Sequence, residues 1–297
     1  MPRQTIAFTL ALLTLATPLL AEPVENAANE FGRWRTAEPG RFVPLNDPAY
    51  LPARAAKLAD DAQVIGLVVG DDARAFPLRL MTYHHVVNDT IGGDRVAVTY
   101  CGMANTAVTY RLGDGVGNLE AGGLFGGVLA MREQGSTRCW AQIAEVPLPD
   151  DAATTSTLAK GQRASITNWR AWRTAHPATR VLAPVEDFDI RYEAYDLASH
   201  TFTANPLMNS SVTRVDDRLD SGVEIFGLAR NGKSWACPIS RIRELGKVDA
   251  ELDGAIITVT WDAALETPAV PAAFEGFAMR AYWYAWSQFY PATEIGK

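Results

Sequence analysis

The side chains able to do chemistry in this 297-residue chain gather in one stretch. His84 and His85 are adjacent, two of only four histidines, and Cys101 and Met103 follow on. Imidazole, thiolate and thioether together are soft donors, a set that favours a copper ion, with zinc as the other cofactor of that kind. Met131 is a further soft donor for such a site. The same residues fit a second chemistry: a Cys/His-dependent enzyme with Cys101 as nucleophile, His84 as its base, and Asn88 or Asp89 orienting the imidazole. A third reading is a redox thiol, weakened because Ala104 stands where a C-x-x-C pair needs its second cysteine. A fourth is structural, with Cys101 a small buried hydrophobe and His84 a satisfied core residue. The active readings require His84 and Cys101 to face one another in a cleft. Asn88, Asp89 and Thr106 would support it from behind, and Met103 or Met131 would form its soft wall.

The elements that must position these groups follow from local pattern. Val64 to Val69 is β-rich, Gly70-Asp71-Asp72 supplies a hairpin turn, and Ala73 to Phe76 returns as the partner strand, ended by Pro77. Leu78 to Val87 reads as a short helix. Arg95 to Tyr100 is a further strand, introduced by Gly92-Gly93, and it delivers Cys101 at its end. The same pattern recurs at a constant offset of 161 residues: Gly66 over Gly227, Ala75 over Ala236, Pro77 over Pro238, Gly93 over Gly254. Trp169 and Trp172, before Pro177, are echoed by Trp283 and Trp286 before Pro291. Spacing of three places each pair on one helix face, and proline stops the helix. This self-similarity predicts an internally duplicated α+β fold, mainly antiparallel β with short helices, two related halves forming one body. Under the offset His84 falls on Leu245, His85 on Gly246 and Cys101 on Asp262, so the reactive residues belong to one half only. Leu245 and Asp262 should fill the equivalent place in the other.

Composition bounds the rest. Hydrophobic residues make up 48% and charged residues 21%, which suits a folded globular chain rather than a disordered one. The net charge of −7 argues against nucleic acid and against an anionic membrane surface as partners; a small molecule or metal ion is the expected partner. Arg3, the apolar run from Ile6 to Ala16, Pro18 and the small Ala21 have the layout of a secretory signal peptide over residues 1–21. A periplasmic or secreted protein follows, with no membrane insertion after cleavage. Three cysteines, Cys101, Cys139 and Cys237, permit at most one disulfide. The expected layout is a leader (1–21), an irregular N-terminal arm (22–60), a first half with the candidate site (61–186) and a degenerate second half (187–297). Gly122-Gly123-Leu124-Phe125-Gly126-Gly127 lacks the Lys-Ser/Thr ending of a phosphate loop. Asp187 to Asp220 is read as an acidic connection.

Three motifs carry a resemblance to a known family. They are Ala73-Arg-Ala-Phe-Pro-Leu78, Tyr83-His84-His85-Val86-Val87-Asn88-Asp89-Thr90-Ile91-Gly92-Gly93, and Val96-Ala-Val-Thr-Tyr-Cys101. Together with Trp283-Tyr-Ala-Trp286 and Pro291-Ala-Thr293, they are similar to domain-of-unknown-function family 3179. The resemblance covers roughly residues 48 to 297 and implies an exported protein with a duplicated α+β body, without an assigned activity. Two departures stand out. The family's second cysteine and the glycine after it fall on Ala104 and Asn105, and its tryptophan before the histidine is Tyr83.

Overall fold

The computed structural model describes residues 34–37, 40–143, 148, 158–186, 188, 192 and 211–296. The leader at 1–21, the start of the arm and most of the acidic connection lie outside the described residues. The arm supplies strands β1 (Trp34–Thr36), β2 (Leu45–Asn46) and β3 (Tyr50–Pro52). β4 (Gln63–Val69) and β5 (Asp72–Pro77) form a hairpin, followed by helix α1 (Leu78–His84), β6 (Val86–Ile91), β7 (Asp94–Cys101) and β8 (Thr106–Arg111). β9 (Leu119–Phe125), β10 (Val128–Glu133) and β11 (Cys139–Ala141) come next. β12 (Ala159–Lys160) and β13 (Ser165–Asn168) lead into α2 (Trp169–Ala175) and β14 (Arg180–Leu182). The C-terminal region runs β15 (Glu224–Arg230), β16 (Lys233–Pro238), α3 (Ile239–Leu245), β17 (Lys247–Leu252), β18 (Ala255–Asp262) and β19 (Thr267–Ala269). It ends with β20 (Phe277–Tyr282), α4 (Trp283–Phe289) and β21 (Glu294–Ile295).

These strands form five sheets, ordered β1-β9-β10-β11, β12-β8-β7-β6-β2, β13-β4-β5-β14-β3, β20-β15-β16-β21 and β17-β18-β19. The architecture is a five-bladed β-propeller, mostly sheet, and not the α+β body of two related halves that the offset predicts. The physical reason lies in non-local pairing. The arm is not an irregular cover: β1 joins β9, β2 runs parallel to β6, and β3 pairs with β14, in three different sheets. Strands β9, β10 and β11, which share a sheet with β1, have no counterpart between β18 and β20 beyond the short β19. The likeness between the matched segments is local. Each makes a hairpin, a seven-residue helix and a second hairpin.

Local chemistry explains those pieces. The β15–β16 turn places Asn231 and Gly232 at φ +50° and +73°, the left-handed pair that a tight hairpin needs. Gly66 and Gly227 have a packing role. A Cβ at Gly66 would lie 2.2 Å from the Trp172 ring, and one at Gly227 would lie 2.6 Å from Trp286. The indole N–H of Trp172 donates to Thr179 Oγ1 at 3.0 Å, and that of Trp286 to Thr293 Oγ1 at 2.9 Å, so each buried ring is fixed at both ends. Strand alternation divides the core at β7. Val96, Val98 and Tyr100 pack with Met81, Tyr83 and Tyr192, whereas Ala97 and Cys101 pack with Leu129, Met131 and Trp140 on the other face.

Candidate functional site

His84 closes α1 and is fully buried. Its Nδ1–H donates to the Val43 carbonyl at 2.6 Å, which leaves Nε2 to accept the Tyr192 hydroxyl proton at 2.8 Å. Its ring stacks on Phe188 and meets Tyr83 and Tyr192 edge-on. Burial lowers its pKa, against the opposing bond to Val43, so the imidazole is neutral and both nitrogens are engaged. Cys101 lies on the opposite face of β7, 3% exposed, beside Ala104 and Leu129. Burial raises its thiol pKa, while the backbone N–H groups of Ala104, Leu129 and Met103 pull it the other way. The cleft expected between His84 and Cys101 does not form, because the alternation that sends Tyr100 toward α1 sends Cys101 away from it. Cys101 therefore has no base beside it in His84, and the nucleophile reading loses its activating partner.

The supporting residues are spread similarly. His85 donates from Nδ1 to the Tyr100 carbonyl at 3.0 Å and packs against Phe42. Burial pushes its pKa down to about 4. It sits at φ +60°, the helix-ending position that Gly246 occupies after α3. Asn88 ties β6 to β9, exchanging hydrogen bonds with the backbone of Leu119. Asp89 lies 3.5 Å from the Arg74 guanidinium and accepts the backbone N–H of Thr90. Thr106 donates to Gln142, which donates in turn to Thr99. Met103 and Met131 share the hydrophobic cluster of Cys101. Among the described residues no group of three or more His, Cys, Asp or Glu side chains is placed to hold a metal ion. Cys101, Cys139 and Cys237 are buried, and among the described residues none of them is in a disulfide. In the second matched segment Leu245 is 46% exposed and fills nothing, while Asp262 accepts the N–H groups of Ala264 and Leu265.

A concave surface lies elsewhere. A groove of about 700 Å³ opens where β8, the start of β13 and β20 converge. Trp172, Phe274 and Phe277 wall it, with Lys160, Arg163 and His176 at its polar side. Arg163 donates to the carbonyls of Phe274, Pro271 and Ala272, holding the segment that forms one wall, and burial lowers its pKa. The Lys160 ammonium sits 5.1 Å from the Phe277 ring centre. The His176 ring lies against Trp172 at 4.1 Å, and burial lowers its pKa too. Glu275 is the one acidic residue in the lining. Sequence reasoning missed this groove, because its residues come from five separated stretches, around 66–68, 107–109, 160–165, 172–176 and 265–279, with no motif among them. The only local signal was Trp172, read as a packing residue, which it also is.

Residues 43–277 match the model of a family described as a protein of unknown function, DUF3179. The chain belongs to this family. No curated protein and no solved structure matches it. The first departure noted in the sequence, at Ala104 and Asn105, lies in the turn between β7 and β8. Ala104 is fully buried, and its carbonyl accepts the Tyr282 N–H at 2.9 Å. Asn105 keeps the positive φ, +49°, that the motif's glycine would take easily, as asparagine does at low cost. Its side chain also accepts from the Tyr100 hydroxyl and donates to Glu224.

Proposed function

We propose that this DUF3179 member is an exported binding protein for a small, anionic, partly apolar molecule held in the 700 Å³ groove. One observation carries the reading: two cationic side chains, Lys160 and Arg163, stand with three aromatic rings around one concavity, with a single acidic residue in its lining. Grooves of this size with a few converging polar groups are the usual form of small-molecule sites. Arg163 donates to three neutral carbonyl groups, so its charge stays available to an anion at short range. The leader-like residues 1–21 fit a site exposed to solutes outside the cytoplasm. Equilibrium titration of the full chain with anilinonaphthalene sulfonate, an anionic aromatic probe, tests this. Saturable one-site binding that falls roughly tenfold in Lys160→Glu supports the reading. Binding that is absent, or unchanged in that variant, removes it.

A second reading, soft-metal handling, now rests on Cys101 alone with Met103 and Met131 in the same cluster. The backbone of Ala104, Leu129 and Met103 works against burial on the Cys101 thiol, an influence that would also favour a metal-bound thiolate. Copper or zinc copurifying in stoichiometric amount, and lost in Cys101→Ala, supports it; protein free of metal from its native compartment counts against it.

A further inference from the structure

The groove of about 700 Å³ has a sheet edge in one wall. β20 stands last in its sheet and pairs antiparallel with β15 alone, from Glu224↔Tyr282 to Ala229↔Phe277. The direction of its main-chain groups follows from the bonds at its end. The Trp283 N–H donates to the Val223 carbonyl, on the β15 side, at 2.8 Å. The Tyr282 N–H donates to the Ala104 carbonyl, on the opposite side, at 2.9 Å. Strand alternation therefore turns the N–H and C=O of Ala278 the same way as those of Tyr282, away from β15. Among the described residues no strand pairs with β20 on that side. β8 is the near neighbour, but its own edge is taken. Tyr110 and Arg111 pair with β12, and the Thr109 carbonyl accepts the Gly161 N–H at 2.9 Å. The two strands meet at the Tyr282–Ala104 bond, and Ala278, half-buried, lines the groove that opens between them. A reachable strand edge is a template for a further strand. Small side chains keep this one reachable, since Gly161, Ala164, Gly276 and Ala278 all line the groove. The charge there is unbalanced: Lys160 and Arg163 are exposed in the lining, against Glu275 as its one acidic residue. Val68, 37% exposed, and Leu265 add apolar surface.

We propose that the groove takes a short extended peptide of alternating acidic and apolar residues, added as a strand along the β20 edge at Ala278. Acidic side chains on one face of the peptide meet Lys160 and Arg163, and the apolar ones between them meet Val68 and Leu265. This ligand class rests on the groove being the binding site proposed above. The probe is acetyl-Glu-Val-Glu-Val-amide, titrated calorimetrically into the full chain. Two analogues carry methyl groups on backbone nitrogens, one at both valines and the other at both glutamates. Only alternate N–H groups of a strand face one neighbour, so one analogue should lose roughly tenfold in affinity while the other matches the parent. The parent should also displace anilinonaphthalene sulfonate, and slow hydrogen exchange at the Ala278 N–H roughly tenfold. Two analogues of equal affinity, or an Ala278 N–H that exchanges as fast at saturation as before, overturn the proposal. So does a chain that binds anilinonaphthalene sulfonate but not the peptide, and the binding site itself then stands. A chain that binds neither removes the groove reading along with it.

Discussion

Lowering the pH from 7 to 4.5 should destabilise this protein by about 2 kcal/mol through His85 alone. The ring accepts a proton near 6.5 when the chain is unfolded and near 4 when it is folded, because burial penalises its charged form. Between those values the unfolded state binds more protons, so acid favours unfolding. The stabilisation is complete above the unfolded value, shrinks as pH falls, and levels off below the folded one. The whole span corresponds to about 3 kcal/mol, at 1.36 kcal/mol for each pKa unit. His85→Asn is the right perturbation, since asparagine tolerates the φ of +60° that ends α1. Urea unfolding of both proteins at pH 7, 6, 5 and 4.5 would show the variant losing about 2 kcal/mol less over that range. His84 and His176, whose pKa values are also lowered by burial, contribute equally to both curves. The carboxylates of Asp72 and Asp216, held low by Arg74 and Arg218, give up their stabilisation only at still lower pH. Identical pH dependence in the two proteins would refute the argument, as would a wild type more stable at pH 5 than at pH 7.

Gly66→Ala places a methyl group 2.2 Å from a Trp172 ring that cannot retreat, and calorimetry should show a loss of about 3 kcal/mol or failure to fold. Thr179→Val leaves the buried Trp172 N–H without its acceptor and should cost about 1–3 kcal/mol in denaturant titration. Cys101, buried and with its pKa raised, should resist a thiol reagent at pH 7 until the chain is unfolded; rapid labelling of native protein would contradict that placement.

What the residues reveal and what they conceal follow from the range of the forces involved. The β4–β5 hairpin, its turn at Gly70, the strand ending at Cys101 and the tryptophan helices are local, and their residues specify them directly. The helix after Pro77 is shorter than Leu78 to Val87 suggests, because His85 leaves the helical region and Val86 already pairs with Thr99. Which strands share a sheet is not local. Alternation shows that β7 has two buried faces, but not that β2 joins its sheet from the arm or that β10 lies behind Cys101. The His84–Cys101 pairing failed for the same reason. Closeness in sequence suggested a shared cleft, whereas the strand period of two placed the groups on opposite faces. The groove near Lys160 and Trp172 was invisible because it exists only between sheets.

Binding of an anionic ligand in the groove at Lys160, Arg163 and Trp172 is the function proposed for this protein. The most direct measurement follows the indole N–H resonance of Trp172 during titration with naphthalene-2-sulfonate, in wild type and in Lys160→Glu. Trp172 should shift saturably in wild type, with binding weakened roughly tenfold in the variant and further weakened by added salt. A Trp172 resonance that does not move, or that moves equally in both proteins, contradicts it.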